Sequence, residues 1–246
     1  MEAINQLHED LSMEAKLQWK LPMVEIFQTV EGEGTRAGFP TTFVRIYNCN
    51  LRCTWCDTVY SYAPHPPEFM ATIQEIVQQV EELGNHYVCL TGGEPLMHGE
   101  KSLALVEALS QIDAVIDIHI ETNGAIDLTD FVALRSSNSS IKNKVRFIMD
   151  YKLPGSGEME RMIEGNLELL EPQDELKFVV ADDTDFTVAC QVLDQYQPQA
   201  LALFSPVWET MPPAKLVDKI LQSGRKGIKL NLQIHKVIWH PEMRGV

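Results

Sequence analysis

Short apolar runs and helix-period segments alternate along most of this 246-residue chain, and that alternation restricts the folds open to it. Apolar runs at 42–47, 87–91, 116–121, 145–150, 176–180, 201–205 and 230–234 read as buried strands, preceded by a short strand at 23–27. Helical patterns lie between most of them, at 72–83, 101–112, 128–135, 161–170, 186–196 and 213–222. Within 72–83, Ile73, Ile76, Val77, Val80 and Leu83 follow the 3.6-residue period; Thr72 and Glu75 form a capping-box pattern and Gly84 sits at the stop position. Strands joined through helices form βαβ units, so the expected sheet is parallel with helices outside. About six such units are present, whereas a closed eightfold barrel typically takes about 250 residues before any additions. The expected architecture is therefore an α/β fold, an incomplete parallel barrel of the (βα)6 type, with an open doubly wound sheet as the second choice. Residues 1–21 are expected to be an N-terminal extension, a short helix or a mobile arm, and 22–246 a single domain. The Ser-rich stretch 136–140 is expected to be a surface loop.

Charge narrows the function classes. Lys and Arg number 20 against 35 Asp and Glu, a net −15. Nonspecific nucleic-acid binding uses a cationic surface that displaces counterions, so no nucleic-acid partner is expected. The same charge disfavours an anionic membrane surface. No run approaches 18 apolar residues, and the N-terminus lacks the basic start and apolar core of a secretory signal, so a cytoplasmic location is expected.

In parallel α/β folds, function gathers where strands end at their C-terminal side. Unusual residues fall there: Cys49 after the second run, Thr91-Gly-Gly-Glu-Pro95 after the third, Glu121-Thr-Asn-Gly124 after the fourth, Asp150-Tyr151-Lys152 after the fifth and Ser205-Pro206 after the seventh. Cys49, Cys53 and Cys56 form a C-x3-C-x2-C cluster, a poor disulfide framework and a good soft-metal site. Structural zinc wants a fourth ligand, but Cys89 lies inside an apolar strand and Cys190 on a helix, where small buried thiols are expected. Three cysteines on a four-iron cluster leave one iron open for another ligand.

The cysteine triple followed one βα unit later by the Gly-Gly-Glu-Pro turn resembles the signature of the radical S-adenosylmethionine (SAM) superfamily, whose partial barrel matches the expected fold. From Glu25 to the end the chain is similar to the 7-carboxy-7-deazaguanine synthases of queuosine biosynthesis. The carriers are Glu25-Ile-Phe-Gln-Thr-Val-Glu-Gly-Glu-Gly34, Phe43-Val-Arg45, Cys56-Asp-Thr58, Glu121-Thr-Asn-Gly124 and His235-Lys236.

That resemblance implies a carbon–nitrogen lyase that turns 6-carboxy-5,6,7,8-tetrahydropterin into 7-carboxy-7-deazaguanine and releases ammonia. It implies a [4Fe–4S] cluster, SAM and Mg²⁺ as cofactors, and chemistry through a 5′-deoxyadenosyl radical, hydrogen abstraction and ring contraction, with no side chain as catalytic acid or base. Cys49, Cys53 and Cys56 would hold the cluster and Thr58 the Mg²⁺. Trp55, Cys56, Asp57, Gly93, Asp150, Tyr151 and Lys152 would contact SAM, with Ser205 a weaker candidate. Val30, Glu31, Gly32, Arg45 and Thr91 would contact substrate. The chain departs from the family's usual pattern at Glu31, where Gln is common, and at Asp150-Tyr151, where relatives often carry Ser-Pro. From the residues alone Arg45, inside an apolar strand, needs either an internal or a ligand carboxylate; the resemblance favours the substrate. Flavodoxin or ferredoxin is the implied electron donor, and a homodimer the implied assembly. His65, His86, His98 and His119 lack metal-ligand spacing and read as ordinary histidines. Two other readings remain at this level: a glycyl-radical activating enzyme, which shares the cysteine spacing, and a noncatalytic metal-binding module.

Overall fold

A single nine-stranded sheet organises the protein, in the order β3-β1-β2-β4-β5-β6-β7-β8-β9. The computed structural model describes residues 12–240 and 243–245; the expectation for residues 1–11 lies outside them. The strands are β1 (Lys20–Val30), β2 (Pro40–Ile46), β3 (Phe69–Thr72), β4 (Tyr87–Gly92), β5 (Asp117–Thr122), β6 (Val145–Asp150), β7 (Glu175–Val180), β8 (Leu201–Pro206) and β9 (Ile228–Leu230). From β2 onward every pairing is parallel. From β4 onward each new strand is laid beside the last without reversal, so the parallel part has no topological switch point and the doubly wound alternative is excluded. β3 and β9 are the two edges, so the sheet curls without closing, as an incomplete barrel.

The sheet is not wholly parallel. β1 runs antiparallel to both β2 and β3. β1 is longer than the five-residue strand expected, and β3 was not expected at all. The segment Phe69-Met70-Ala71-Thr72 takes strand form by pairing with Lys20-Leu21-Pro22-Met23, a partner far away in sequence. Ahead of β1, Ser12 caps the short helix α1 (Met13–Lys16), and Leu17 and Trp19 pack on the core.

The helices are α2 (Ile73–Leu83), α3 (Glu100–Ser110), α4 (Thr129–Ser137), α5 (Ser139–Lys144), α6 (Asn166–Leu169), α7 (Asp183–Tyr196), α8 (Pro213–Ser223) and α9 (His235–Ile238). At α2 both halves of the Thr72–Glu75 capping box form and Gly84 ends the helix with φ 69°. Three further expectations change, the first being the strand expected at 230–234, since β9 ends at Leu230. The Ser-rich stretch 136–140 is not a loop: Asn138 caps α5 by accepting from the Ile141 amide at 2.9 Å. The expected helix at 161–170 is reduced to the four-residue α6. There Asn166 is drawn into tertiary bonds, with Nδ2 donating to Gly124 and Ile126 and Oδ1 accepting from Leu128.

The pleat sorts the strand residues. Val88, Leu90, Ile118, Ile120, Val145, Phe147, Leu176 and Phe178 join the apolar core together with Ile76, Val80, Leu105 and Leu109 of α2 and α3. The alternating positions Cys89, Thr91, Asp117, His119, Glu121, Arg146, Glu175 and Lys177 take the opposite, barrel-interior face, which is polar.

Candidate active site

The cysteine loop leaves β2 at Tyr47 and is pinned at both ends. The Asn48 amide donates to Ser61 O at 2.7 Å, and the Thr54 amide donates to Ser156 O at 3.0 Å. All three thiols are half-buried and free. The Cys56 amide donates to Cys53 O at 3.2 Å, which folds the Cys53–Cys56 segment into a turn. Cys49 Sγ accepts from the Leu51 amide at 3.4 Å and from Asn123 Nδ2 at 3.6 Å. Burial lifts the Cys53 thiol to about 11, with the Lys152 ammonium opposing, and burial also raises Cys49. Three free thiols clustered on one loop suit a soft metal that displaces their protons on binding. The donor set therefore fits an iron–sulfur cluster held by three cysteines.

The following loop is built against the cysteine loop. A Cβ at Gly92, whose φ is +144°, would lie 2.0 Å from Ile46 O; one at Gly93 would lie 2.1 Å from Asn48 O. The two glycines let this backbone touch the start of the cysteine loop, and the Glu94 amide donates to Asn48 O at 2.7 Å. The Glu94 side chain is fully buried. It accepts from the Leu96 amide (3.0 Å), Thr122 Oγ1 (3.0 Å) and the Asn123 amide (2.6 Å). Asn123 in turn donates to Asn50 Oδ1 at 2.8 Å. The loops after β2, β4 and β5 thus form one hydrogen-bonded platform around Cys49.

The β6 loop contributes Asp150 and Lys152, joined Nζ to Oδ2 at 2.6 Å. Asp150 Oδ1 is buried with no protein partner among the described residues, an orphaned acceptor that a ligand donor would satisfy. Tyr151 is 3% exposed; its ring packs on Phe178 at 5.9 Å and its amide donates to Lys177 O at 2.9 Å. Trp55 packs over Gly155, Asp57 pairs with Lys236 at 3.4 Å, and Thr58 Oγ1 lies 3.7 Å from Cys56 Sγ. Ser205 Oγ accepts from Asn231 at 2.9 Å.

The residues expected to meet substrate line the interior beside this platform. Arg45 Nε donates to Glu25 at 2.8 Å, so the internal carboxylate left open as its partner is present. Thr91 Oγ1 donates to Glu121 at 2.9 Å. Glu31 and Gly32 are buried and Val30 partly so. Gly32 is held by the C-terminal segment, with the Ile234 amide donating to its carbonyl at 3.0 Å and the His235 ring filling the space a side chain would need.

Several interior residues were missed. Glu33 accepts from Lys177 (3.2 Å), Asn231 (3.0 Å) and Gln233 (2.7 Å); burial opposes its charge, yet Lys177 and Gln233 hold it down at about 2. Burial pushes Glu121 up, and Lys177 opposes this. His119 sits between Asp117 and Glu31, with Cys89 close enough that the donor atoms of Glu31, Cys89 and His119 lie within 4.8 Å. Both imidazole nitrogens already serve carboxylates, so the trio reads as an ion cluster. One signal was available: Asp117, His119 and Glu121 alternate along β5 with Ile118 and Ile120, the period of a strand with one polar face.

Comparison with known proteins agrees with this geometry. Residues 43–140 match the radical SAM superfamily model. The chain is 34% identical to the 7-carboxy-7-deazaguanine synthase of Clostridium acetobutylicum, covering 91% of this chain and 98% of that one. It is 35% identical to the synthase of Thermoplasma acidophilum (88% and 96%) and 35% identical to that of Leptospira interrogans (92% and 98%). The crystal structure of QueE from Escherichia coli superposes with a TM-score of 0.66 at 18% identity, over 91% of this chain and 99% of that one, which shows a shared fold. With its cysteine loop, its glycine-built platform and relatives matched over nearly their whole length, the chain belongs to the 7-carboxy-7-deazaguanine synthase family of the radical SAM superfamily.

Proposed function

We propose that this protein converts 6-carboxy-5,6,7,8-tetrahydropterin into 7-carboxy-7-deazaguanine with release of ammonia. The single observation that carries the reading is the platform joining three post-strand loops around Cys49: Asn48 to Glu94, Glu94 to Asn123, and Asn123 to the sulfur. When bound, the cluster and SAM supply the one-electron chemistry that starts the rearrangement. Substrate and product differ by one ammonia, so the overall reaction consumes no oxidant.

The chain's own residues position and enclose. Cys49, Cys53 and Cys56 hold the cluster, and the Asn123 amide reaches one of its sulfurs, a contact of the kind that tunes cluster potential. Trp55, Cys56, Asp57, Gly93, Asp150, Tyr151 and Lys152 bind SAM; the orphaned Asp150 Oδ1 supports a donor arriving there. Arg45 keeps its terminal guanidinium nitrogens for a ligand carboxylate while Glu25 engages Nε. Val30, Glu31, Gly32 and Thr91 meet the pterin edge. Thr58 would supply one hydroxyl to Mg²⁺, a hard cation that takes oxygen ligands and would offset the charge of a carboxylate ligand. A flavodoxin or ferredoxin delivers the electron, the protein works as a homodimer, and the compartment is the cytoplasm. No helix among the described residues is long and apolar enough to cross a membrane.

The test is anaerobic reconstitution with iron and sulfide, then incubation with SAM, dithionite, Mg²⁺ and 6-carboxytetrahydropterin, read by mass spectrometry. The expected product is 7-carboxy-7-deazaguanine. SAM cleavage to 5′-deoxyadenosine without that product would leave the superfamily assignment standing and remove the substrate.

A further inference from the structure

His119 is wholly buried in the barrel interior, where the β5 pleat sets it beside Asp117 and Glu121. Its Nδ1 lies 3.0 Å from Asp117 Oδ1 and its Nε2 lies 2.6 Å from Glu31 Oε2. A ring that donates from both nitrogens to two carboxylates is an imidazolium. Burial works against that charge, but the bonds to Asp117 and Glu31 outweigh it and lift the group to about 9.

The arrangement is anchored from below. Asp117 accepts from Arg146 Nε at 3.0 and 3.1 Å and from Arg36 at 2.9 and 2.7 Å, so it cannot follow His119 if the ring moves. Above, Glu31 Oε2 takes His119 while Oε1 takes the Glu33 amide at 3.1 Å. Two bonds to different oxygens fix the plane of the carboxylate. The groups around the ring are Glu31 from the turn after β1, Cys89 from β4, Arg146 from β6, and Asp117 on its own strand. Glu33 and Glu121 add their charge to the field at Glu31's end of the interior.

We propose that His119 is a positioning residue that determines specificity: clamped between Asp117 and Glu31, it fixes the Glu31 carboxylate in one plane. The interior then accepts the paired N–H donors of an amidine- or guanidine-like ligand edge, the chemistry of the 2-aminopyrimidinone end of a pterin. This rests on the pterin reading of the site, and it deepens that reading by naming the group that holds Glu31 in place.

Two measurements test it. The first needs no ligand: long-range ¹⁵N–¹H spectra of protein carrying ¹⁵N-labelled histidine, at pH 7.5. Both His119 nitrogens should carry protons in the wild type, and Glu31→Gln should return the ring to a single protonated nitrogen. A singly protonated His119 in the wild type would overturn the proposal. The second is binding of 6-carboxypterin, an oxidised analogue followed by its own fluorescence, to the reconstituted holoenzyme with SAM. His119→Gln should weaken binding roughly 10- to 100-fold, the value of a charge-assisted contact, with iron content and cluster absorbance unchanged. The double variant with Glu31→Gln should lose no more than about two- to threefold beyond either single change, because the pair acts as a unit. Full affinity in a folded His119→Gln protein would remove the specificity role and keep the pterin reading. A wild type that binds no pterin would remove the pterin reading, while the spectra still decide the clamp; if His119→Gln does not fold, Glu31→Gln with His119 intact still supplies the spectra.

Discussion

The backbone amide of Asn123 donates to Glu94 Oε2 at 2.6 Å, which ties the end of β5 to the turn that follows β4. Glu94 is fully buried, and its other oxygen accepts from Thr122 and Leu96, so one carboxylate fixes two loops that carry site residues. Asn123 is then held where its side chain reaches Cys49 Sγ.

Burial raises Glu94 from 4.5 to about 7, against the pull of its hydrogen bonds. Between those values the unfolded chain has lost the proton that the folded protein keeps, so stability falls as pH rises from about 4.5 to about 7 and levels off above that. Glu94→Gln cannot titrate and leaves one contact mismatched. It should cost roughly 1–3 kcal/mol. Urea unfolding at a series of pH values should show the wild-type-minus-variant difference sloping downward only within that window. A difference that stays flat from pH 4.5 to 7 would show that the raised carboxyl does not govern stability.

Gly93→Ala brings a Cβ to within 2.1 Å of Asn48 O, a backbone atom with no freedom to yield. The turn must move off the cysteine loop and break the 2.7 Å bond from Glu94 to Asn48. The variant is expected to fold with lower stability and to hold less iron per chain after reconstitution. Normal iron content with unchanged cluster absorbance would mean that the close approach is not needed to shape the loop.

Cys53→Ala removes one of three thiols, and no spare thiol is on the loop: Cys89 is buried in β4 and Cys190 packs on the core from α7. Reconstituted protein should lose its four-iron cluster and its ability to cleave SAM. Iron and sulfide analysis with visible absorbance reads this directly, and about four irons per chain in the variant would refute the ligand assignment.

Thr58→Ala deletes a hydroxyl whose protein contact is the long 3.7 Å approach to Cys56 Sγ, while the Thr58 carbonyl keeps its bonds to Ser61. The loop should hold and the cluster should form. Activity should need several-fold more Mg²⁺ to reach half-maximum, measured by Mg²⁺ titration of product formation. An unchanged titration curve would take Thr58 out of the metal site.

The partial barrel was legible because its signals are local. The helix period and capping box of 72–83, the apolar runs of β4 to β8 and the cysteine spacing each lie within a dozen neighbouring residues. What was misread depended on distant partners. β3 is a strand because β1 lies beside it, and 161–170 breaks because Asn166 bonds to Gly124 and Ile126. Reading the strands as apolar runs also hid their second face, since the helix-facing residues alone account for the hydrophobic count.

By itself, the sequence determined that strands and helices alternate, that three thiols share one loop, and that glycines and polar residues follow the strand ends. Local sterics and periodicity suffice for that. Only the tertiary structure decided which charges meet. Glu31 finds His119 88 residues away, and Glu33 finds Asn231 and Gln233 about 200 residues away. Such contacts form because the curled sheet brings inward-facing residues of separate strands, and the segment after β9, into one interior. There low polarity makes each pairing, and each missing partner, count for far more than it would in water.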